Sequence, residues 1–160
     1  MKIRLRAANL EDAEQVFEWR NTPWIVSLST TQCSVTWNEH IDWFNRSLTS
    51  CDRLLLIIEL NNEIDIGTVR IDKVDASIGL ITIYLLESFT GKGIGVKAIE
   101  QGCFIAFEQL ILDRIYAYIR QENYPSISAF TKAGFIKINS SVDCPKNHHQ
   151  MVFHKFRRYS

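Results

Sequence analysis

The chain has 160 residues, 46% hydrophobic and 22% charged, ordinary values for one globular domain (1–160) large enough to bury a core. Its 18 basic residues balance 18 acidic ones, so the basic excess of a nucleic-acid-binding domain is missing. Cys33, Cys51, Cys103 and Cys144 form no CxxC pair, and the adjacent His148 and His149 have no Cys-rich or HExxH partner set, so no metal is expected.

Lys2 to Arg6 alternates charged and apolar residues, which predicts an opening strand and gives no signal-peptide core. Asn9 caps a predicted helix over Leu10 to Arg20, and Pro23 lies just past its end. Thr36 with Glu39 is a capping box, and Trp37, Ile41, Phe44 and Leu48 mark one face of the helix it opens. Arg53 to Leu60 is nearly all apolar, as in a central strand. Asn61-Asn62 turns it into a returning strand, Ile64 to Ile71, and Ser77 to Leu86 follows. A helix to about Leu112 holds Cys103 as a small buried hydrophobe. Arg114 to Arg120 alternates as a strand. Pro125 opens a short helix that Gly134 ends, and strands at Phe135 to Val142 and Met151 to Phe156 complete the order β-α-α-β-β-β-α-β-α-β-β. This is a mixed α/β layer fold. No apolar run reaches the ~18 residues of a membrane span, and the expected location is the cytoplasm, with no membrane partner.

Gly91-Lys92-Gly93-Ile94-Gly95 is the most informative run, lying between the strand ending at Leu86 and the long helix. Glycines there permit positive φ and close approach of a ligand. The first helical turn adds unpaired N–H groups and a partial positive charge, together a cradle for a phosphate or pyrophosphate. The run is neither a P-loop nor a dinucleotide fingerprint, because Val96 and Ala98 stand where the latter needs glycine.

From Tyr84 to Gly95 the sequence YLLESFTGKGIG is similar to the strand, loop and Q/R-x-x-G-x-G/A helix start of the GNAT superfamily of acetyl-CoA-dependent N-acetyltransferases. Asn123 to Phe135, NYPSISAFTKAGF, resembles that family's second conserved segment, about thirty residues further on. The resemblance implies a central, mostly antiparallel sheet of about seven strands, splayed in the middle and flanked by four helices. It also implies acetyl-CoA as co-substrate. Leu85, Leu86, Gly91, Lys92, Gly93, Ile94, Gly95, Val96, Asn123, Ser126, Phe130 and Lys132 would bind it, with Leu85 polarising the thioester carbonyl.

Two positions depart from the family pattern. Thr90 replaces its Gln or Arg, and Phe130 replaces the tyrosine that protonates the departing thiolate. Either Tyr124 serves instead, or the thiolate leaves unaided, or the chain is an acyl-CoA-binding sensor without activity. For the attacking amine, Tyr84, Glu87 or His40 is a candidate base, directly or through water.

The tracts around Trp19-Arg20-Asn21, Trp24 and His40 resemble the branch acting on nucleotide-linked 4-amino sugars, as in pseudaminic acid biosynthesis, and the related Rim-type enzymes. That implies a small-molecule amine as partner, a nucleotide-linked amino sugar first. A protein N-terminus or another small amine is the alternative. Aromatic faces would stack a base or sugar, and Arg20 would meet a diphosphate. The family also allows a homodimer.

Overall fold

The computed structural model describes residues 1–29, 31–138 and 150–159. Its strands are β1 (Ile3–Ala7), β2 (Arg53–Leu60), β3 (Ile64–Asp75), β4 (Ile78–Leu85), β5 (Arg114–Arg120), β6 (Ile136–Ile138) and β7 (Gln150–Phe156). They form one sheet in the order β1-β2-β3-β4-β5-β7-β6, and every pairing is antiparallel except β4 with β5. The expected mixed, mostly antiparallel sheet is therefore the observed one.

Among the described residues the helices α1 (Ala13–Arg20), α2 (Pro23–Leu28), α3 (Trp37–Thr49), α4 (Ile94–Gln109) and α5 (Tyr124–Lys132) number five, where four were expected. The extra one is α2. Thr22 accepts a hydrogen bond from the Ile25 N–H, and Pro23 sits in the first turn, so the residue read as a stop also starts a new helix. The stretch from Leu10 to Asp12 is a 3-10 turn leading into α1 rather than its first turn. Both expected caps form, as full capping boxes at Asn9 and Thr36. α4 stops at Gln109, short of Leu112, and Ile111 just beyond has a φ of +54°. Of the strand expected at Phe135 to Val142, residues 139–142 lie outside the described residues, as do Cys144, His148 and His149.

Strand β2 explains its own composition. Leu56 and Ile58 pack into the layer beneath α4, while Leu55 and Ile57 face α1, α2 and α3 around the fully buried Phe44. A strand covered on both faces needs apolar residues at every position. Cys103 is buried in the α4 layer, and burial pushes its thiol up to about 12. Among the described residues no helix is long and apolar enough to cross a membrane.

Candidate active site

β4 and β5 pair only at Ile78–Arg114, Gly79–Ile115 and Leu80–Tyr116. Beyond Leu80 the two strands part, leaving a wedge between the rest of β4 and the rest of β5. Residues of a β-strand alternate the side to which their main-chain groups point. The Leu86 N–H donates to the Ile66 carbonyl across the sheet at 2.9 Å. Leu85, paired opposite Gly67, therefore turns its N–H and C=O away from β3 and into the wedge. Its carbonyl accepts a hydrogen bond from the Trp24 indole at 3.3 Å.

The start of α4 lies at the mouth of this wedge. Gly91 and Gly93 have φ of +72° and +75°, and Gly93 is the N-cap, with no side chain among the described residues bonded to the first-turn N–H groups. A Cβ at either glycine would meet nothing within 4 Å, so backbone conformation rather than crowding demands glycine. The N–H groups of Ile94, Gly95 and Val96 form an open, electropositive cradle. Thr90, at the departing motif position, turns its hydroxyl onto the Glu87 carbonyl at 2.7 Å and closes the preceding turn.

A cavity of about 1100 Å³ runs from this cradle through the wedge to α1, α2 and α3. Gly91, Gly93, Gly95 and Val96 line one end. Asn123, Ser126, Phe130 and Lys132 line the wall given by α5. Asn123 caps α5 by accepting from the Ser126 N–H at 3.3 Å. Phe130, 3% exposed, meets Phe135 edge-on with ring centroids 5.0 Å apart. Arg20, Trp24, His40 and Tyr84 line the far end.

Other expected residues lie elsewhere. The Leu86 N–H is taken by Ile66, and its side chain packs with the α1–α3 layer. Ile94 has a core side chain and offers only its main chain, while Lys92 is exposed with its ammonium 5.6 Å from the Phe89 ring. Glu87 is exposed, and neither it nor Tyr124, which is 74% exposed, lines the cavity. Trp19 is a core residue set edge-on to Tyr84. Asn21 uses both ends of its amide on the Val35 main chain, at 2.9 and 2.8 Å, and so holds the loop before α3 rather than a ligand.

Electrostatics separates the candidate bases. The Tyr84 hydroxyl is buried, and burial pushes its pKa up to about 12 although Thr68, Arg20 and Arg70 all act to lower it. Thr68 lies beside the phenol oxygen but outside hydrogen-bonding geometry. A phenol in that state donates and does not accept a proton near neutrality. His40 is 4% exposed among Phe17, Trp37, Trp43 and Phe44, and its Nε2–H donates to the Ala13 carbonyl at 2.7 Å. Burial lowers its pKa, against the opposing pull of that bond, so it is neutral at pH 7 with its lone pair on Nδ1.

Three neighbours escaped the sequence reading. Arg70 and Thr68 stand on β3 beside Tyr84, and Gly67 faces Leu85 so closely that a Cβ would sit 2.2 Å from the Tyr84 carbonyl oxygen. A lone glycine within a strand rich in β-branched residues was the available signal. Among the described residues no three His, Cys, Asp or Glu side chains are grouped to hold a metal.

Residues 2–136 match the family model of the acetyltransferase (GNAT) domain. The chain belongs to the GNAT acetyltransferase family. An uncharacterized protein of Methanocaldococcus jannaschii is 27% identical over 138 residues, 85% of this chain, which spans only 28% of that relative's length. The spermidine N-acetyltransferase of Vibrio cholerae, solved with CoA and spermine, has a TM-score of 0.80 at 18% identity, covering 96% of this chain and 95% of its own. The N-acetyltransferase PseH of Campylobacter jejuni, solved with acetyl coenzyme A, has a TM-score of 0.71 at 15% identity, covering 98% and 100%. At those identities the two structures share the GNAT fold with this chain.

Proposed function

We propose that this GNAT domain transfers the acetyl group of acetyl-CoA to a primary amine, and that the amine belongs to a nucleotide-linked amino sugar. One observation carries the reading: β4 and β5 part beside an uncapped, glycine-led helix start, and a single cavity joins that point to Trp24 and Arg20. The residues present fit acetyl-CoA. The N–H groups of Ile94, Gly95 and Val96, opened by Gly91 and Gly93, would hold its pyrophosphate. The wedge suits a narrow arm, walled by Asn123, Ser126, Phe130 and Lys132. When bound, acetyl-CoA supplies an activated acyl carbonyl.

The chain's own groups then do the rest. The Leu85 N–H donates into the wedge, where it would stabilise negative charge on a carbonyl oxygen. Trp24 restrains the same residue through the next peptide, by donating to the Leu85 carbonyl. Of Tyr84, Glu87 and His40, Tyr84 and His40 line the cavity and only His40 carries a basic lone pair at pH 7, so we assign it the proton of the amine. Trp24, which lines the cavity, would offer aromatic surface to a sugar or base, while Trp43 carries the Arg53 and Arg70 guanidinium groups over its ring at 5.5 Å.

Thiol release from acetyl-CoA, measured with UDP- and dTDP-linked amino sugars, peptides and polyamines, tests this. Turnover is expected to be fastest with a sugar nucleotide. Turnover with peptides or polyamines alone would overturn the sugar assignment. CoA binding without release for any amine would replace catalysis by a sensing role.

A further inference from the structure

The acceptor end of the cavity contains polar atoms that the protein itself leaves unanswered. The Arg20 Nη1 and the Tyr84 hydroxyl are both buried without a hydrogen-bond partner among the described residues. Arg20 reaches Thr31 only through Nη2, at 3.5 Å. Buried donors without partners are rare in folded proteins, and a charged one is the costliest to leave so. Arg70 stands beside Tyr84 on the same sheet face. It shares Asp72 with Arg53, so two guanidinium groups divide one carboxylate. The charges lining the whole cavity lean the same way: Arg20, Arg70, Lys132 and Arg120, the last paired with Glu122 at 3.5 Å, against Glu39 alone. Glu39 is already bonded to the Thr36 N–H at 2.9 Å. Such a lining repels a polycation such as spermine and attracts an amine that carries negative charge.

We propose that Arg20 and Tyr84, backed by Arg70, form an anion subsite that selects acceptors bearing a phosphate or carboxylate next to the amine-carrying portion. This rests on the acetyltransferase reading and names the substrate class of that site. Arg20 offers a planar charged fork and Tyr84 one neutral O–H donor, a set suited to two oxygens of one anionic group.

Calorimetry on the folded protein, with and without CoA, tests the subsite without requiring turnover. The probes are matched pairs: a UDP-linked amino sugar against its methyl glycoside, and an α-amino acid against its amide, with spermidine as the polycation. In at least one pair the anionic member is expected to bind about ten-fold tighter or more, with spermidine weakest. The pair that shows the preference identifies phosphate or carboxylate as the source. Arg20→Gln should erase the preference while leaving CoA affinity within about two-fold, and Tyr84→Phe should weaken it by about three-fold. No preference in either pair, or one that survives in Arg20→Gln, overturns the subsite. Failure to bind CoA would instead overturn the acetyltransferase reading, because acceptor binding is read separately.

Discussion

The Trp24 indole N–H donates to the main-chain carbonyl of Leu85 at 3.3 Å, which ties a helix of the acceptor side to the residue whose N–H enters the wedge. Trp24→Phe keeps an aromatic ring and removes this donor. One hydrogen bond contributes about 1 kcal/mol net, so kcat should fall by roughly three- to ten-fold as Leu85 loses the restraint on its carbonyl, one peptide from the N–H in the wedge. CoA affinity by calorimetry should stay within about two-fold, since the cradle is on α4. A parallel fall of both would show that the substitution disturbs the whole site.

Gly93 separates charge from backbone strain. Its φ of +75° disfavours most side chains, yet a Cβ there meets nothing within 4 Å. Asn and Asp tolerate this conformation best among residues with a side chain, and differ in charge. Gly93→Asp should weaken CoA binding about a hundred-fold by setting a carboxylate against the pyrophosphate, and Gly93→Asn by less than about ten-fold. Equal affinities for the two variants, measured by calorimetry, would remove the cradle from the α4 start.

Phe130 and Tyr124 bear on how the thiolate leaves. Tyr124 is exposed and outside the cavity, while Phe130 is packed on Phe135 with no proton to give. Tyr124→Phe should therefore leave kcat within about two-fold, the thiolate departing unaided. A ten-fold loss would make Tyr124 the acid after all. Phe130→Ala should act on stability, costing about 3–5 kcal/mol in a urea titration, as truncation of a buried aromatic does.

The glycine-led start of α4 was legible because it depends on backbone, and backbone geometry is encoded locally. Three glycines in five residues, a strand before and a helix after are enough to announce the cradle. Asn123 and Pro125 likewise specify their own helix start. The acceptor half was read less well, because its residues meet only through the sheet register. Nothing in the sequence distance between Arg20, Arg70 and Tyr84 shows that β3 and β4 pair Thr68 with Tyr84 and bring α1 over them. The same locality explains the errors. Trp19 and Asn21 flank Arg20 in sequence, but helical geometry turns Trp19 into the core and sends Asn21 to Val35.

His40 gives the fold a pH dependence whose direction follows from its burial. Its folded pKa lies below the ordinary value near 6.5, while the unfolded chain keeps that value. As pH falls through about 6.5 the unfolded chain takes up a proton that the folded chain still refuses, so stability is lost on acidification and is level above about pH 7.5. His154 is lowered as well, by burial and then by Arg114, and adds to the same interval. Asp12 acts in a separate one. Burial works to raise its pKa, but the Arg6 and Asn9 hydrogen bonds win and hold it below the usual carboxylate value, so its contribution is lost only below about pH 4. Urea midpoints should thus fall between about pH 7.5 and about pH 5.5 in the wild type. His40→Gln, which keeps a donor for the Ala13 carbonyl, should shrink that fall, and His154→Gln should remove more of it. An undiminished slope in His40→Gln would mean that its imidazole takes up protons as freely in the folded chain as in the unfolded one.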